Sequence, residues 1–251
     1  MRHIDNRKRE AEVLNLVVES YIKEYKPISS GFLCDKFHLP YSTATLRNVM
    51  KSLEDKGLLS HVHTSSGRVP TEEGFKYYVE HLDEDIFLKE DTTSLIPLDY
   101  FDSMPDNFAN IEGVFTRTLD ALAEVSGYTS LMAISGFEEK FLFRGTRFIL
   151  EQPEFEDIQR LKSFFYTLEV RIEEIHQLLF SYLDSKVKIL IGEDIGFEEI
   201  SDCSMIISGL HQQDLSAILA VLGPMRMDYV KAVSAIYSIR QKLGETLKKL
   251  L

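Results

Sequence analysis

Arg47 and Asn48 stand side by side in Ser42-Thr43-Ala44-Thr45-Leu46-Arg47-Asn48-Val49-Met50-Lys51, a run whose residue types suit the edges of nucleic-acid bases. An arginine can take a guanine edge through two parallel hydrogen bonds, and an asparagine an adenine edge. Ala44 is small enough to let a helix reach a groove floor and touch a thymine methyl. The hydroxyls of Ser42, Thr43 and Thr45 and the ammonium of Lys51 suit phosphate oxygens, contacts that fix register without reading sequence. At about 100° per residue, Leu46, Val49, Met50 and Leu53 gather on one side of a helix. Ala44, Arg47, Asn48 and Lys51 lie opposite, flanked by Thr43 and Thr45. Taken alone, such a face is also what any amphipathic helix turns to water.

A second run adds to it. His63-Thr64-Ser65-Ser66-Gly67-Arg68 combines small hydroxyl residues, a flexible glycine and a cation in what reads as a hairpin tip. Such a tip can carry Arg68 into a minor groove, where narrow width attracts arginine. His63 is expected to support this wing or to touch a phosphate.

The elements that must position these residues can be read around them. Arg7 to Tyr25 predicts a helix, with Val13, Leu14, Val17, Val18, Tyr21 and Ile22 at helical spacing and Pro27 as its stop. Ser29 or Ser30 caps a short second helix containing Phe32, Leu33 and Phe37. Ser42 caps a third, running to about Lys56, with Gly57 as the residue after its end. Leu58 to His63 and Arg68 to Pro70 predict two short strands about a turn. Thr71 caps a fourth helix bearing Phe75, Tyr78, Val79 and Leu82 on one face. Three helices followed by a β-hairpin is the order of a winged helix-turn-helix. Residues 1–82 are therefore expected to form that domain, and the acidic, aperiodic 83–106 a linker.

Residues 107–251 predict an α+β domain. Phe108 to Val125 is helical. Strand-like runs follow at Tyr128–Ile134, Phe141–Leu150, Lys186–Ile191, Met205–Gly209 and Ser216–Leu222, interrupted by a helical stretch at Phe155–Leu183 and closed by a helix over Asp228–Leu251.

The bulk charge of −12 speaks against a polyanion partner, but it is unevenly spread. Met1–His81 holds 12 basic and 11 acidic residues, and the remainder 16 and 29. The charge of the binding face matters more than the total. Two distant cysteines, Cys34 and Cys203, suggest a reducing compartment. With no signal-like start and no apolar run near the roughly 18 residues of a membrane span, a soluble cytoplasmic protein without membrane contact is expected. There is no nucleophile elbow, P-loop or dinucleotide fingerprint, so an enzyme is not indicated. His61-x-His63 could begin a metal site, but a zinc site needs three or four ligands, and no metal or other cofactor is expected. A winged-helix adaptor for protein contacts and a small-molecule sensor are the remaining alternatives.

The sequence resembles the heat-inducible transcription repressor HrcA family. The likeness runs through Ser42–Met50, Leu53-Glu54, Gly57-Leu58-Leu59, His63–Thr71, Gly74-Phe75 and Tyr78-Val79. It continues in Gly145-Thr146, Gln152-Pro153-Glu154-Phe155, Gly192-Glu193, Asp202-Cys203-Ser204 and Gly223-Pro224-Met225-Arg226-Met227-Asp228-Tyr229. Leu46 and Ser66 depart mildly from the family pattern. The resemblance implies a repressor of heat-shock chaperone genes that binds an inverted-repeat DNA operator as a homodimer, is promoted by the chaperonin and loses activity on heating. It also implies that the second domain is GAF-like. Family members place a long stretch, including an inserted dimerisation domain, between Gly127-Tyr128-Thr129-Ser130 and Gly145-Thr146. Only about fifteen residues join the two here, so the domain is read as trimmed, and both the inserted dimer contact and chaperonin dependence come into question.

A substitute dimer contact suggests itself in two stripes that step by three and four. One comprises Phe108, Ile111, Phe115 and Leu122, the other Val233, Ile236, Leu243 and Leu247. The other possibility is that both stripes pack on their own sheet, which Arg240 within the second stripe favours.

Overall fold

The computed structural model describes residues 2–62, 67–82, 111–136, 139–184 and 186–251, with side chains from residue 7 onward. The expected linker 83–106, the wing residues His63, Thr64, Ser65 and Ser66, and Phe108 lie outside the described residues. The chain divides into two compact units, Met1–Leu82 and Asp83–Leu251.

The first unit comprises α1 (Arg2–Glu24), α2 (Ser30–Phe37), α3 (Thr43–Asp55), β1 (Leu59–His61), β2 (Arg68–Pro70) and α4 (Glu72–Glu80). Its helix ends follow from local chemistry. Ser29 caps α2, accepting from the Phe32 amide at 3.1 Å, and Ser42 caps α3, accepting from Thr45 at the same distance. Such caps satisfy amides that the first helical turn leaves unpaired. Gly57, at φ +76°, turns the chain out of α3 in the left-handed conformation that glycine takes without strain. The Leu58 amide then closes on the Leu53 carbonyl at 2.9 Å. Thr71 caps α4 and donates to the Gly57 carbonyl at 2.6 Å, tying the start of α4 to the end of α3.

The core of this unit is a set of fully buried side chains: Val13, Leu14, Val17 and Val18 from α1, Leu33 from α2, and Leu46 and Met50 from α3. Each contributes about 1.5–3 kcal/mol by leaving water. Val49, expected in this core, is only half-buried. The β1–β2 hairpin is antiparallel, with Leu59 opposite Pro70 and His61 opposite Arg68. Ile28 adds a single-residue bridge on the other side of β2, exchanging two 2.8 Å backbone hydrogen bonds with Arg68.

The second unit is built on a five-stranded antiparallel sheet. In chain order it holds α5 (Ile111–Ser126), β3 (Thr129–Ser135), β4 (Lys140–Arg144), α6 (Arg147–Leu150), α7 (Ile158–Val170), α8 (Ile172–Phe180), β5 (Lys188–Ile191), β6 (Cys203–Gln212), β7 (Leu215–Pro224) and α9 (Tyr229–Leu250). The strand order across the sheet is β4-β3-β7-β6-β5. Alternate residues face opposite sides. Leu131, Met205, Ile207 and Ile218 meet Phe164 and Leu168 of α7 and Ile175 and Leu179 of α8. Met132, Ile206, Leu219 and Val221 are turned the other way and are also fully buried, on the face where α5 and α9 pack. Mixed α+β architecture is thus the observed class.

Three sequence expectations need correction here. Phe141–Leu150 is not one strand, because β4 ends at Arg144 and Arg147–Leu150 is a helical turn. Gly145, at φ +74°, bends the chain between them, in a spot where a Cβ would lie 2.4 Å from the Ala123 side chain. The Phe155–Leu183 stretch is two helices, parted at Arg171, whose guanidinium donates to Glu199 at 2.7 Å. The third concerns the dimer stripes. Phe115, Leu122, Val233, Ile236, Leu243 and Leu247 are at most 3% exposed and Ile111 is half-buried, because α5 and α9 lie against each other and against their own sheet. These side chains are covered within the unit, the second of the two possibilities the stripes allowed. Arg240, the polar interruption in the α9 stripe, donates from Nε to the Gly209 carbonyl of β6 at 2.5 Å.

Candidate nucleic-acid interface

The polar face of α3 is assembled by the same interactions that fix the helix. Leu46, Met50 and Leu53 anchor it inward, at no more than 1% exposed. Helical geometry then turns Ala44, Arg47, Asn48 and Lys51 outward, and all four are exposed, as are Ser42 and Thr43. Thr45 is half-buried, with its hydroxyl 2.9 Å from that of Ser42. Among the described residues, Arg47, Asn48 and Lys51 have no hydrogen bond or ion pair. The remaining cation of this region is engaged. Lys56 binds Glu10 of α1 at 2.5 Å, and Ser52 donates to the same carboxylate at 2.7 Å. These hydrogen bonds from Lys56 and Ser52 hold the Glu10 carboxyl below the ordinary carboxylate range. The outcome is a rigid helix that leaves one cation, one carboxamide and a second cation open along one face.

Arg68 behaves otherwise than expected. Its side chain is 11% exposed, and its Nε donates to Glu54 of α3 at 3.0 Å. It begins β2, in the last pair before the loop, and its charge is turned onto Glu54, so the expectation that it reaches into a minor groove is corrected. His61, across the hairpin, contacts the other oxygen of the same carboxylate at 2.5 Å. Glu54 is held below the ordinary carboxylate range, chiefly by the hydrogen bond with His61 and also by Arg68. Gly67 lies so close to the chain before α2 that a Cβ would fall 2.3 Å from the Ile28 carbonyl carbon and oxygen.

Sequence reasoning missed the pairing of Glu54 with His61 and Arg68, although a signal existed. A carboxylate in the last turn of a helix faces the negative end of the macrodipole, so it calls for a cationic partner close by. His61 sits on Glu54, Cys34 donates to the Tyr41 carbonyl at 3.3 Å, and the Cys203 thiol is pushed well up by complete burial. Among the described residues no group of three potential ligands comes together.

The later signature residues meet in the second unit as a closed node. Arg226 lies 2.6 Å from Glu154 through Nε, and its terminal nitrogen donates to Gln152 at 3.0 Å. The Tyr128 hydroxyl accepts from the Asp228 amide at 2.8 Å, and the Tyr229 hydroxyl donates to the Met225 carbonyl at 2.5 Å. Gly223 packs beneath the Tyr128 ring, where a Cβ would come within 2.7 Å.

The model for the HrcA protein C-terminal domain matches residues 118–233. The heat-inducible transcription repressor HrcA of Oceanobacillus iheyensis is 27% identical over 340 aligned positions, spanning 96% of this chain and 97% of that protein. Since this chain has 251 residues, at least 89 positions of that alignment have no residue of this chain opposite them. The HrcA of Prosthecochloris aestuarii is 48% identical over 80 residues, 32% of this chain and 22% of that protein. A crystal structure of a hypothetical protein superposes with a TM-score of 0.75 at 15% identity, covering 97% of this chain and 99% of its own, a likeness of fold.

Proposed function

This chain belongs to the HrcA family of heat-inducible transcription repressors, and from that premise we propose that it represses heat-shock chaperone genes by reading an operator with α3. The observation that carries the reading is the open row of Arg47, Asn48 and Lys51 on a helix anchored from its other side by the buried Leu46, Met50 and Leu53. In this reading α2 and α3 form a helix-turn-helix and β1–β2 the base of a wing, with the second unit a trimmed GAF-like domain. Arg47 takes a guanine edge and Asn48 an adenine edge, near the start of the helix where base contacts concentrate. Ala44 permits the close approach. Ser42, Thr43, Thr45 and Lys51 contact phosphates, as do His63, Thr64, Ser65, Ser66 and Gly67 of the wing.

An inverted repeat calls for two such heads, with half-sites about 34–36 Å apart or a multiple of that. We therefore propose a homodimer whose contact lies outside the α5 and α9 stripes. Inactivation on heating and promotion by the chaperonin are carried over from the family resemblance.

The test is fluorescence anisotropy with a labelled duplex bearing an inverted repeat from upstream of the organism's chaperone genes, against a scrambled duplex, at two salt concentrations. Binding to the repeat at least about a thousandfold tighter is the expected result. The acidity of the chain, −12 overall, favours one other reading, a winged-helix adaptor for protein contacts. Equal and weak binding to both duplexes would point there.

A further inference from the structure

We propose that Glu54 is the positioning residue that fixes the wing to the recognition helix, and that Arg68 acts through Glu54 rather than on bases. The inference rests on the DNA-reading role of α3 given above.

A helix and a wing that grip one duplex must hold their relative placement to within about half an ångström. Three-residue strands supply little rigidity of their own, since an isolated hairpin is marginal in water. Something else must hold the hairpin against α3, and among the described residues the Glu54 side chain does so from both strands. Glu54 reaches His61 on β1 with one carboxylate oxygen and Arg68 on β2 with the other, at 2.5 and 3.0 Å. Those two residues are cross-strand partners, and they end the paired part of the hairpin. The carboxylate therefore clasps the root of the wing at its last rung.

The opposite side is held by backbone. Arg68 exchanges hydrogen bonds with Ile28, and Gly67 packs on the Ile28 carbonyl with no room for a Cβ. The wing root is thus gripped between the α1–α2 connection and α3. An unpaired acid at this place would be a poor choice for a DNA-binding surface, because it faces both the negative helix end and the phosphates. Its retention there makes physical sense as half of a clasp. Arg68, 11% exposed with its Nε on Glu54, has its charge directed inward.

The full chain and its Glu54→Ala, Glu54→Gln and Arg68→Ala variants, with the Glu54→Ala/Arg68→Ala double variant, would be titrated with operator and scrambled duplexes across a salt series. Loss of a charge-assisted clasp predicts about tenfold weaker operator binding for Glu54→Ala. Scramble binding should be unchanged or tighter, since a negative charge has been removed. Glu54→Gln, which keeps the shape, should fall between. The double variant should be no weaker than the weaker single one, and Arg68→Ala should leave the salt slope unchanged. Two results would overturn the proposal: operator binding by Glu54→Ala as tight as wild type, or a salt slope lowered by about 0.9 in Arg68→Ala, the mark of a lost phosphate contact.

Amide hydrogen exchange without DNA separates this from the larger reading. Exchange at Ile28 and Arg68 should quicken in Glu54→Ala and Glu54→Gln while the α1 amides stay protected. Unchanged exchange rejects the clasp whether or not the wild-type chain discriminates operator from scramble. A wild-type chain that fails to discriminate rejects the operator reading instead.

Discussion

Arg47 in the first unit and Arg226 in the second both lie in signature runs of the sequence, and the molecule uses them in opposite ways. Arg47 is exposed and, among the described residues, unpaired. Arg226 is 12% exposed and faces a Glu154 carboxylate that is equally covered. Its donors meet Gln152 and Glu154, so the two later motifs are halves of one internal bracket. The neighbouring tyrosines, Tyr128 and Tyr229, likewise have their hydroxyls engaged by the backbone. A guanidinium directed inward stabilises a fold, whereas one left open at a helix surface is available to a partner. A signature motif alone therefore does not distinguish binding from architecture, but the pairing of its charged atoms does.

Mutations can break or sharpen this contrast. The largest effect is expected from Arg226→Ala, which strands a largely buried carboxylate and should cost the second unit about 3–5 kcal/mol. Urea unfolding would show it as a lowered midpoint for that unit, and an unchanged midpoint would remove the architectural half of the comparison. Next come Arg47→Ala and Asn48→Ala. Each should weaken operator binding by about 1–3 kcal/mol, while the unfolding midpoint stays within the roughly 0.5 kcal/mol typical of surface changes. Should these variants lose stability and keep affinity, the open face is a structural surface after all. A smaller change is expected for Lys51→Ala, which should lower operator and scramble affinity alike and reduce the salt slope by about 1.

The smallest concerns pH. Glu10 has a folded value below its unfolded one, set by Lys56 and Ser52. Its contribution is therefore complete above the unfolded carboxylate value of about 4.3 and is lost as pH falls through the folded value. Glu10→Gln should flatten the acid side of the first unit's stability profile in that window, measured by circular dichroism. A profile identical to wild type would show that the α1–α3 clasp adds nothing there.

The α3 face was legible in the sequence because three independent local signals agree: the period of Leu46, Met50 and Leu53, the Ser42 cap and the Gly57 exit. Arg68 was not, because its partners are distant. Glu54 lies 14 residues away and Ile28 is farther still, and strands of three residues give no period from which to fix which side chain turns inward. The α5 and α9 stripes failed for a different reason. A run of apolar residues stepping by three and four says that a helix face is covered, yet it reads the same whether the cover is a second copy or the helix's own sheet. The overlong strand at Phe141–Leu150 came from an apolar run without a clear period, in which only Gly145 hinted at the bend.

The strand order of the second unit also sets the order in which it can be made. β3 pairs with β7, whose partners lie 81 to 93 residues further along the chain. A growing polypeptide can complete the first unit while the rest is still on the ribosome, since domains fold as they emerge, N-terminal first. The sheet has no such option. Until Leu215–Pro224 appears, β4-β3 and β6-β5 are separate fragments with apolar edges, and long-range pairing of this kind is slow. Synthesis thus passes through an interval in which the first unit is already formed and the sheet of the second is still open.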